Sequence, residues 1–285
     1  MSIDPDEQPH GRQDLAGALR KLRKAAGLSG ERLAARCAMS QTKISRIESG
    51  RLLPSVVDVE RILKALQVPD RATEQLLTLT RQANVEHTSW RTVAEMGLWR
   101  KQAELKALAD SSTVMRHFLP AVPSGLLQVP EYARATLSPV LPGDPARDVE
   151  KAVQARIDRQ ASLQNVNRQF NFVLTDQAVH WRYDKPSVME RQCRHMAKIS
   201  LRENVNISII PQSVTVGSAP LGTFVIYDQR LVLVELYSGE VALRDPRDVS
   251  YHLEIFDYFL SRALTGKEAT SFLLSVADEF MQECD

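Results

Sequence analysis

Apolar positions in the first third of the chain repeat with helical spacing. Leu15, Leu19 and Leu22 stand at i, i+4 and i+7 with Ala18 and Ala26 beside them, which predicts a first helix ending near Gly27. Ser29 can cap a second helix, GERLAARC, that carries Leu33 and Cys37 on one side. Ala38 and Met39 make a bend, Ser40 caps a third helix with Ile44 and Ile47 facing inward, and Gly50 stops it. Ser55 caps a fourth helix through about Leu66, lined by Val56, Val59, Ile62 and Leu63. Pro69 breaks that helix, and a fifth follows through Leu76, Leu77 and Leu79. The expectation is an all-α five-helix domain over residues 12–86, preceded by a disordered acidic tail at 1–11 with Pro5 and Pro9.

Beyond it the pattern changes. Residues 87–110, with Trp90, Trp99 and the run WRKQAELKALA, read as one connecting helix. Pro120, Pro123, Gly125 and Pro130 mark an irregular stretch, and Pro139, Pro142, Gly143 and Pro145 a second loop. An amphipathic helix follows from Asp148 to about Gln164, with Val149, Val153, Ile157 and Ala161 on one face. Strand signals come only later: FNFVL at 170–174, VNISIIP at 205–211, GTFVIYD at 222–228 and LVLVELY at 231–237. Asp228, Gln229 and Arg230 lie between the last two runs and predict a tight antiparallel hairpin. Helices are expected near 186–203, 247–264 and 267–283. Residues 111–285 therefore predict an α+β domain with a small, at least partly antiparallel sheet.

Composition adds one asymmetry. Across 285 residues the formal charge is only +1, yet residues 12–52 hold ten basic and three acidic side chains. That local excess suits a nucleic-acid binder joined to a mildly acidic regulatory part. No run is long and apolar enough to predict a membrane span, and the N-terminal residues lack the plan of a secretion signal. Cys37, Cys193 and Cys284 are far apart and form no CxxC pair, so neither a disulfide framework nor a zinc site is expected, and a reducing cytoplasm fits. Cys37 reads as a small core residue. The six histidines are scattered without HExxH, and Cys193 and His195 stand two apart on one predicted helix, so they point apart. No nucleophile elbow or phosphate-binding glycine loop is present. No catalytic residue, cofactor or metal is expected.

The second and third helices carry the chemistry. Small Ala34 permits close crossing, Met39 plugs the bend, and Thr42, Arg46 and Ser49 point away from the Ile44 and Ile47 anchors. Gln41 stands at the helix start, where recognition side chains reach base edges. Gln can bond an adenine edge and Arg a guanine edge, each in bidentate fashion. The run ALRKLRKAAGLSGERLAARCAMSQTKISRIESGRLLPS resembles the lambda-repressor-like (XRE) helix-turn-helix domain, with the likeness extending over about Leu15 to Ala83. The resemblance implies base contacts by Gln41, Thr42 and Arg46, phosphate contacts by Ser49 and Arg51, and either kind by Lys43. Phosphate contacts are expected at Ser29 and Gly30, where backbone amides can serve, and the resemblance implies an Arg23–Glu48 pair that would tie the first helix to the third. Gly30 departs from the family, which commonly has a phosphate-bonding glutamine there.

FLPAVPSGLLQVPEYARATL, ARIDRQ, NFVLTDQAV and LGTFVIYDQRLVLVEL resemble the C-terminal domain of unknown function in WhiJ-like actinobacterial regulators, over about Trp90 to Phe280. Ser124 stands where that family usually has proline, and Gln177 where it often has an acidic residue. The resemblance implies a transcription regulator, often beside a small partner protein, and names no ligand. Arg156 and Arg159 could bind an anionic ligand or form a surface ion pair with Glu235 on the last predicted strand; a carboxylate in that apolar run needs a partner if buried. Trp90 and Trp99 are candidates for packing, for a ligand cage or for a dimer surface. The expected partners are an operator in double-stranded DNA and a second copy of the chain. A small partner protein and a small-molecule effector both stay open, and no membrane is expected. The alternative is an antitoxin-like module that sequesters a small protein and binds DNA mainly for autoregulation.

Overall fold

The computed structural model describes residues 11–138 and 148–283. The expected tail before Gly11, the loop marked by Pro139, Pro142, Gly143 and Pro145, and Cys284 lie outside the described residues. The chain divides into two units, one of residues up to Glu86 with 242–246, the other of residues 87–241 with those from Arg247 onward.

The first unit holds five helices: α1 (Gly11–Ala25), α2 (Gly30–Arg36), α3 (Gln41–Glu48), α4 (Val56–Ala65) and α5 (Asp70–Asn84). Three begin under a serine cap. Ser29 Oγ accepts from the Arg32 amide, Ser40 Oγ from the Lys43 amide and Ser55 Oγ from the Asp58 amide, at 3.1, 3.2 and 3.1 Å. Asp58 closes a capping box by accepting from the Ser55 amide. Each such cap contributes about 1 kcal/mol. Leu15, Leu19, Leu33, Ile44, Ile47, Val59, Ile62 and Leu63 are all but fully buried in one core, and burying each such side chain stabilises by roughly 1.5–3 kcal/mol. Met39 packs against this core from the bend. Arg23 of α1 grips Glu48 of α3 in bidentate fashion, at 2.6 and 2.8 Å, and donates its third nitrogen to the Leu28 carbonyl. Within the same unit the Val56 amide donates to Asp245 Oδ2.

The second unit is built on a seven-stranded sheet. In chain order it contains β1 (Val85–Ser89), α6 (Trp90–Met96), α7 (Leu98–Asp110), β2 (Val114–Leu119), α8 (Pro130–Leu137) and α9 (Val149–Arg159), which runs on into a 3-10 turn. Then come β3 (Gln169–Thr175), α10 (Asp176–His180), α11 (Pro186–Ile199), β4 (Val205–Ile210), β5 (Phe224–Tyr227), β6 (Leu231–Leu236), β7 (Gly239–Leu243), α12 (Pro246–Leu260) and α13 (Gly266–Gln282). The strand order is β1-β7-β6-β5-β2-β3-β4, and the division between units falls inside β1 and β7. β2, β3 and β4 are parallel, with Met115 opposite Phe170 and Phe170 opposite Val205. Helices fill the crossovers that parallel neighbours require. β5 and β6 pair antiparallel through the Asp228–Arg230 turn, and β5 pairs antiparallel with β2. Asp228, at φ +53°, accepts from the Thr113 and Val114 amides and so fixes the hairpin to the start of β2.

Several expectations are corrected. Residues 87–110 are not one helix: 87–89 belong to β1, and Gly97, at φ +99°, separates α6 from α7. The irregular stretch marked by Pro120, Pro123 and Gly125 carries no helix or strand, but β2 just before it and α8, which starts at Pro130, are elements that the pattern did not predict. LVLVELY is not the last strand, since β7 follows it.

The turn between α2 and α3 carries a removable strain. Ala38 sits at φ +52°, exposed, with its amide on the Ala35 carbonyl and the Met39 amide on the Ala34 carbonyl. This is a helix-ending motif whose left-handed position favours glycine. Ala38→Gly should therefore raise stability by about 1 kcal/mol in urea denaturation, and an unchanged or lower midpoint would contradict this account of the turn.

Candidate functional site

Two surfaces can do chemistry, one in each unit. In the first unit, α3 exposes Gln41, Thr42, Ser45 and Arg46 above buried Ile44 and Ile47. The helix start is formed by Ser40, and the Arg23–Glu48 clamp, whose side chains are only 14% and 10% exposed, fixes the far end. A charge pair withdrawn from water and saturated with hydrogen bonds holds geometry well, and loss of one partner strands the other. Ser49 and Arg51 are exposed just beyond α3; the Ser49 hydroxyl donates to the Arg46 carbonyl. Ser29 is exposed and spends its oxygen on the α2 cap. A side chain added at Gly30 would meet nothing within 4 Å, so the space for the absent glutamine is open. Lys43 is the exception in this set. Its ammonium lies 2.7 Å from Asp58 Oδ1, so in the free chain it braces α3 against α4 instead of standing ready for a base.

In the second unit, a cavity of about 310 Å³ lies against β2, β5, β6 and β7, beneath α7 and α9 and the loop after β2. Arg156 and Arg159 of α9, Lys101 and Gln102 of α7, His117 of β2, Glu235 of β6 and Glu240 of β7 all line it. Apolar Leu98, Leu105, Leu119, Val225 and Leu233 complete the wall. The surface ion pair expected of Arg156 or Arg159 with Glu235 is not formed among the described residues. Arg159 is 7% exposed, and its guanidinium donates to no described residue; its Nε is buried without a partner. Arg156 Nη1 donates to Gln128 Oε1 and Thr136 Oγ1, at 2.6 and 3.1 Å, while its Nε is also unpartnered. Burial, and then the adjoining Arg159 charge, pulls the Arg156 guanidinium down to about 10. Burial likewise lowers Arg159. Glu235 opens to the cavity, and the protein around it, together with Glu240, pushes its carboxyl up against the pull of the arginines. Lys101 is engaged, donating to both Glu240 and Glu104.

Glycine makes the approach of the two arginines possible. A Cβ at Gly125 would come within 2.8 Å of Arg159 Nη2 and 3.0 Å of Arg156 Cδ. The Gly-Leu-Leu-Gln run thus supplies both the flat floor at Gly125 and the acceptor at Gln128. Ser124, on the same loop, also lines the cavity, whereas Gln177 is exposed on α10. The two candidate tryptophans separate. Trp90 lines the cavity and donates its Nε1 to the Leu236 carbonyl, while Trp99 lies outside it under the cations of Lys151 and Arg100. Lys101, Gln102, His117 and Glu240 were not foreseen; Arg116 and His117 break the apolar pattern of β2, so the strand that carries His117 gave no clear signal.

Among the described residues no cluster of His, Cys, Asp and Glu could hold a metal ion, and no helix is long and apolar enough to cross a membrane. Cys193 and His195 both lie on α11; burial raises the thiol to about 12, and His195 Nε2 has no partner among the described residues.

Two family models match the chain. One, described as a domain of unknown function (DUF5753), covers residues 102–275; the other, a helix-turn-helix domain, covers residues 14–76. The second supports DNA as a partner of the first unit. No curated protein matches the chain. Among solved structures it is similar to Nuc, a phospholipase D family member from Salmonella typhimurium, at 10% identity over 58% of this chain and 90% of that one, with a TM-score of 0.34. It is also similar to TrmBL2, an archaeal chromatin protein whose structure shows a novel mode of DNA binding, at 14% identity over 73% of this chain and 66% of that one, with a TM-score of 0.32. Likenesses this distant carry no argument about either unit.

His117 makes the cavity sensitive to acid. It is 4% exposed, its Nε2 has no partner, and its ring packs on Phe172 at 4.7 Å. Burial, and then Arg159, lowers it from 6.5 to about 3. Between those values the unfolded chain binds the proton and the folded chain does not, so stability falls as pH drops through this window. The contribution reaches at most about 1.4 kcal/mol per pH unit. Urea midpoints measured from about pH 7 down to about pH 4 should fall less steeply for His117→Gln than for the unaltered chain; parallel slopes would contradict the assignment.

Proposed function

The chain belongs to the DUF5753 family and carries a helix-turn-helix domain ahead of that region, and from this premise we propose that it is a sequence-specific, DNA-binding transcription regulator. The observation that carries the reading is the exposed row of Gln41, Thr42 and Arg46 on a helix anchored by Ile44, Ile47 and the Arg23–Glu48 clamp. Side chains so arranged enter the major groove and meet base edges, while Arg51 and Ser49 meet phosphates. The local basic excess around α3 adds attraction that is independent of sequence. In this reading the first unit is of the lambda-repressor-like (XRE) kind, and the second unit is a regulatory part of the WhiJ-like kind that senses a ligand or partner in the cytoplasm. No catalytic step and no cofactor enter it.

One recognition helix has a small footprint, which motivates a dimer reading two half-sites about 34 Å apart, one helical turn. Sedimentation of the full chain should show a dimer on DNA, and a strict monomer both on and off DNA would remove this part of the proposal. Because Lys43 is held by Asp58, Gln41, Thr42 and Arg46 carry the base readout.

The contacts separate by salt and sequence dependence. Arg46→Ala should cost about 1–3 kcal/mol of operator affinity and relax preference at one base pair, whereas Arg51→Ala should weaken all sequences alike and reduce the salt slope by about one. Equilibrium gel shifts over a series of operator variants and salt concentrations measure both effects. Operator affinity and selectivity unchanged by Arg46→Ala would overturn the recognition-helix assignment.

A further inference from the structure

Two guanidinium groups share one buried wall of the cavity in the second unit, and the charges around them do not balance. Lys101 is neutralised by Glu240, to which it donates. His117 is held neutral by its burial. That leaves Arg156 and Arg159 against the single carboxylate of Glu235, which makes no ion pair with either among the described residues. A buried charge without a partner is costly, and each buried unpaired polar atom in a folded protein calls for an explanation. Water filling the cavity would hydrate the guanidiniums but would supply no counter-charge. One monovalent anion would.

We propose that the cavity binds a small organic carboxylate, its head group on Arg159 and Arg156 and its apolar body against Leu98, Leu105 and Leu233, with any hydrogen-bond donor it carries turned to Glu235. The planar fork of arginine matches a carboxylate in two parallel hydrogen bonds. Arg156 is already aimed by Gln128 and Thr136, which hold Nη1, while Nη2 donates to no described residue. Gly125 lets both guanidiniums lie close over the backbone. The volume, about 310 Å³, is at the small end of the range for ligand pockets, room for a compact molecule and not a polymer. An apolar wall with a few convergent polar groups is the usual construction of such sites. This inference rests on the reading of the second unit as a sensing part and gives that sensor its ligand class.

Thermal denaturation of the full chain at constant ionic strength tests it, with benzoate, phenyl phosphate and neutral benzamide as probes. The expected result is a saturable rise in midpoint with benzoate and none with benzamide. Arg159→Met should abolish that rise and, by removing an unpaired buried charge, should itself lift the midpoint of the ligand-free chain by about 2–4 °C. Arg159→Lys keeps the charge but loses the fork, and should weaken benzoate at least tenfold; it serves if the Met variant does not fold. A rise with phenyl phosphate alone would overturn the carboxylate assignment in favour of a phosphate. No rise with any probe, an equal rise with benzamide, or a benzoate response that survives at position 159 would overturn the site. No DNA enters the measurement, so its failure leaves the DNA-binding proposal standing, and failure of DNA binding leaves this result interpretable.

Discussion

Arg23 and Arg159 are both withdrawn from water, and a guanidinium so placed needs an acceptor. At Arg23 the need is met completely: Glu48 takes two nitrogens and the Leu28 carbonyl the third. The outcome is mechanical. α1 and α3 cannot rotate against each other without stranding a charge, so the outward row on α3 keeps a fixed bearing. At Arg159 the need is unmet within the described residues, although Gln128 and Thr136 serve its neighbour Arg156. Here the outcome is chemical. A wall that is costly to the ligand-free fold is one that an anion would stabilise.

The surrounding structure follows from these two solutions. In the first unit, serine caps start α2, α3 and α4, one apolar core packs them with α1, whose Arg23 holds α3, and Asp58 does double duty by closing the α4 cap and holding Lys43. In the second unit, the parallel strands β2–β3–β4 and the antiparallel strands β2–β5–β6 share β2, the fifth of the seven strands across the sheet. That shared strand turns His117 and Leu119 into the cavity, while Phe118 stacks on Phe224 and Phe259. The hairpin brings Leu233 and Glu235 to the same wall, as expected for alternate residues on one strand face. Stability and recognition therefore compete at α9: side chains that would pack well in place of the arginines would leave nothing to hold an anion.

The first unit was readable because its signals are local. Caps, a left-handed turn and the spacing of Ile44 and Ile47 all act within a few residues of one another, and they agree on the same helices. The Lys43–Asp58 pair was not legible, because the partner stands on the next helix and nothing in QTKISRIE announces Asp58. In the second unit the strong β-branched runs at β3, β4, β5 and β6 were legible. β2 was not, since Arg116 and His117 interrupt its apolar pattern, nor was β7, where Gly239 and Glu240 do the same. The cavity was half legible. Arg156, Arg159 and Glu235 could be singled out as charges needing partners, but Lys101 meets Glu240 across 139 residues, a distance that no pattern spans. Trp90 and Trp99 looked alike as neighbours on one presumed helix, until the break at Gly97 sent one to the cavity and left the other outside it.

The central claim is that α3 reads a specific DNA sequence. Footprinting of the full chain on fragments of genomic DNA addresses it most directly. The account predicts protection of discrete sites with a shared sequence, retained at moderate salt and centred on half-sites one helical turn apart. Uniform, salt-labile protection along every fragment, or none at concentrations where the chain is folded, would contradict it.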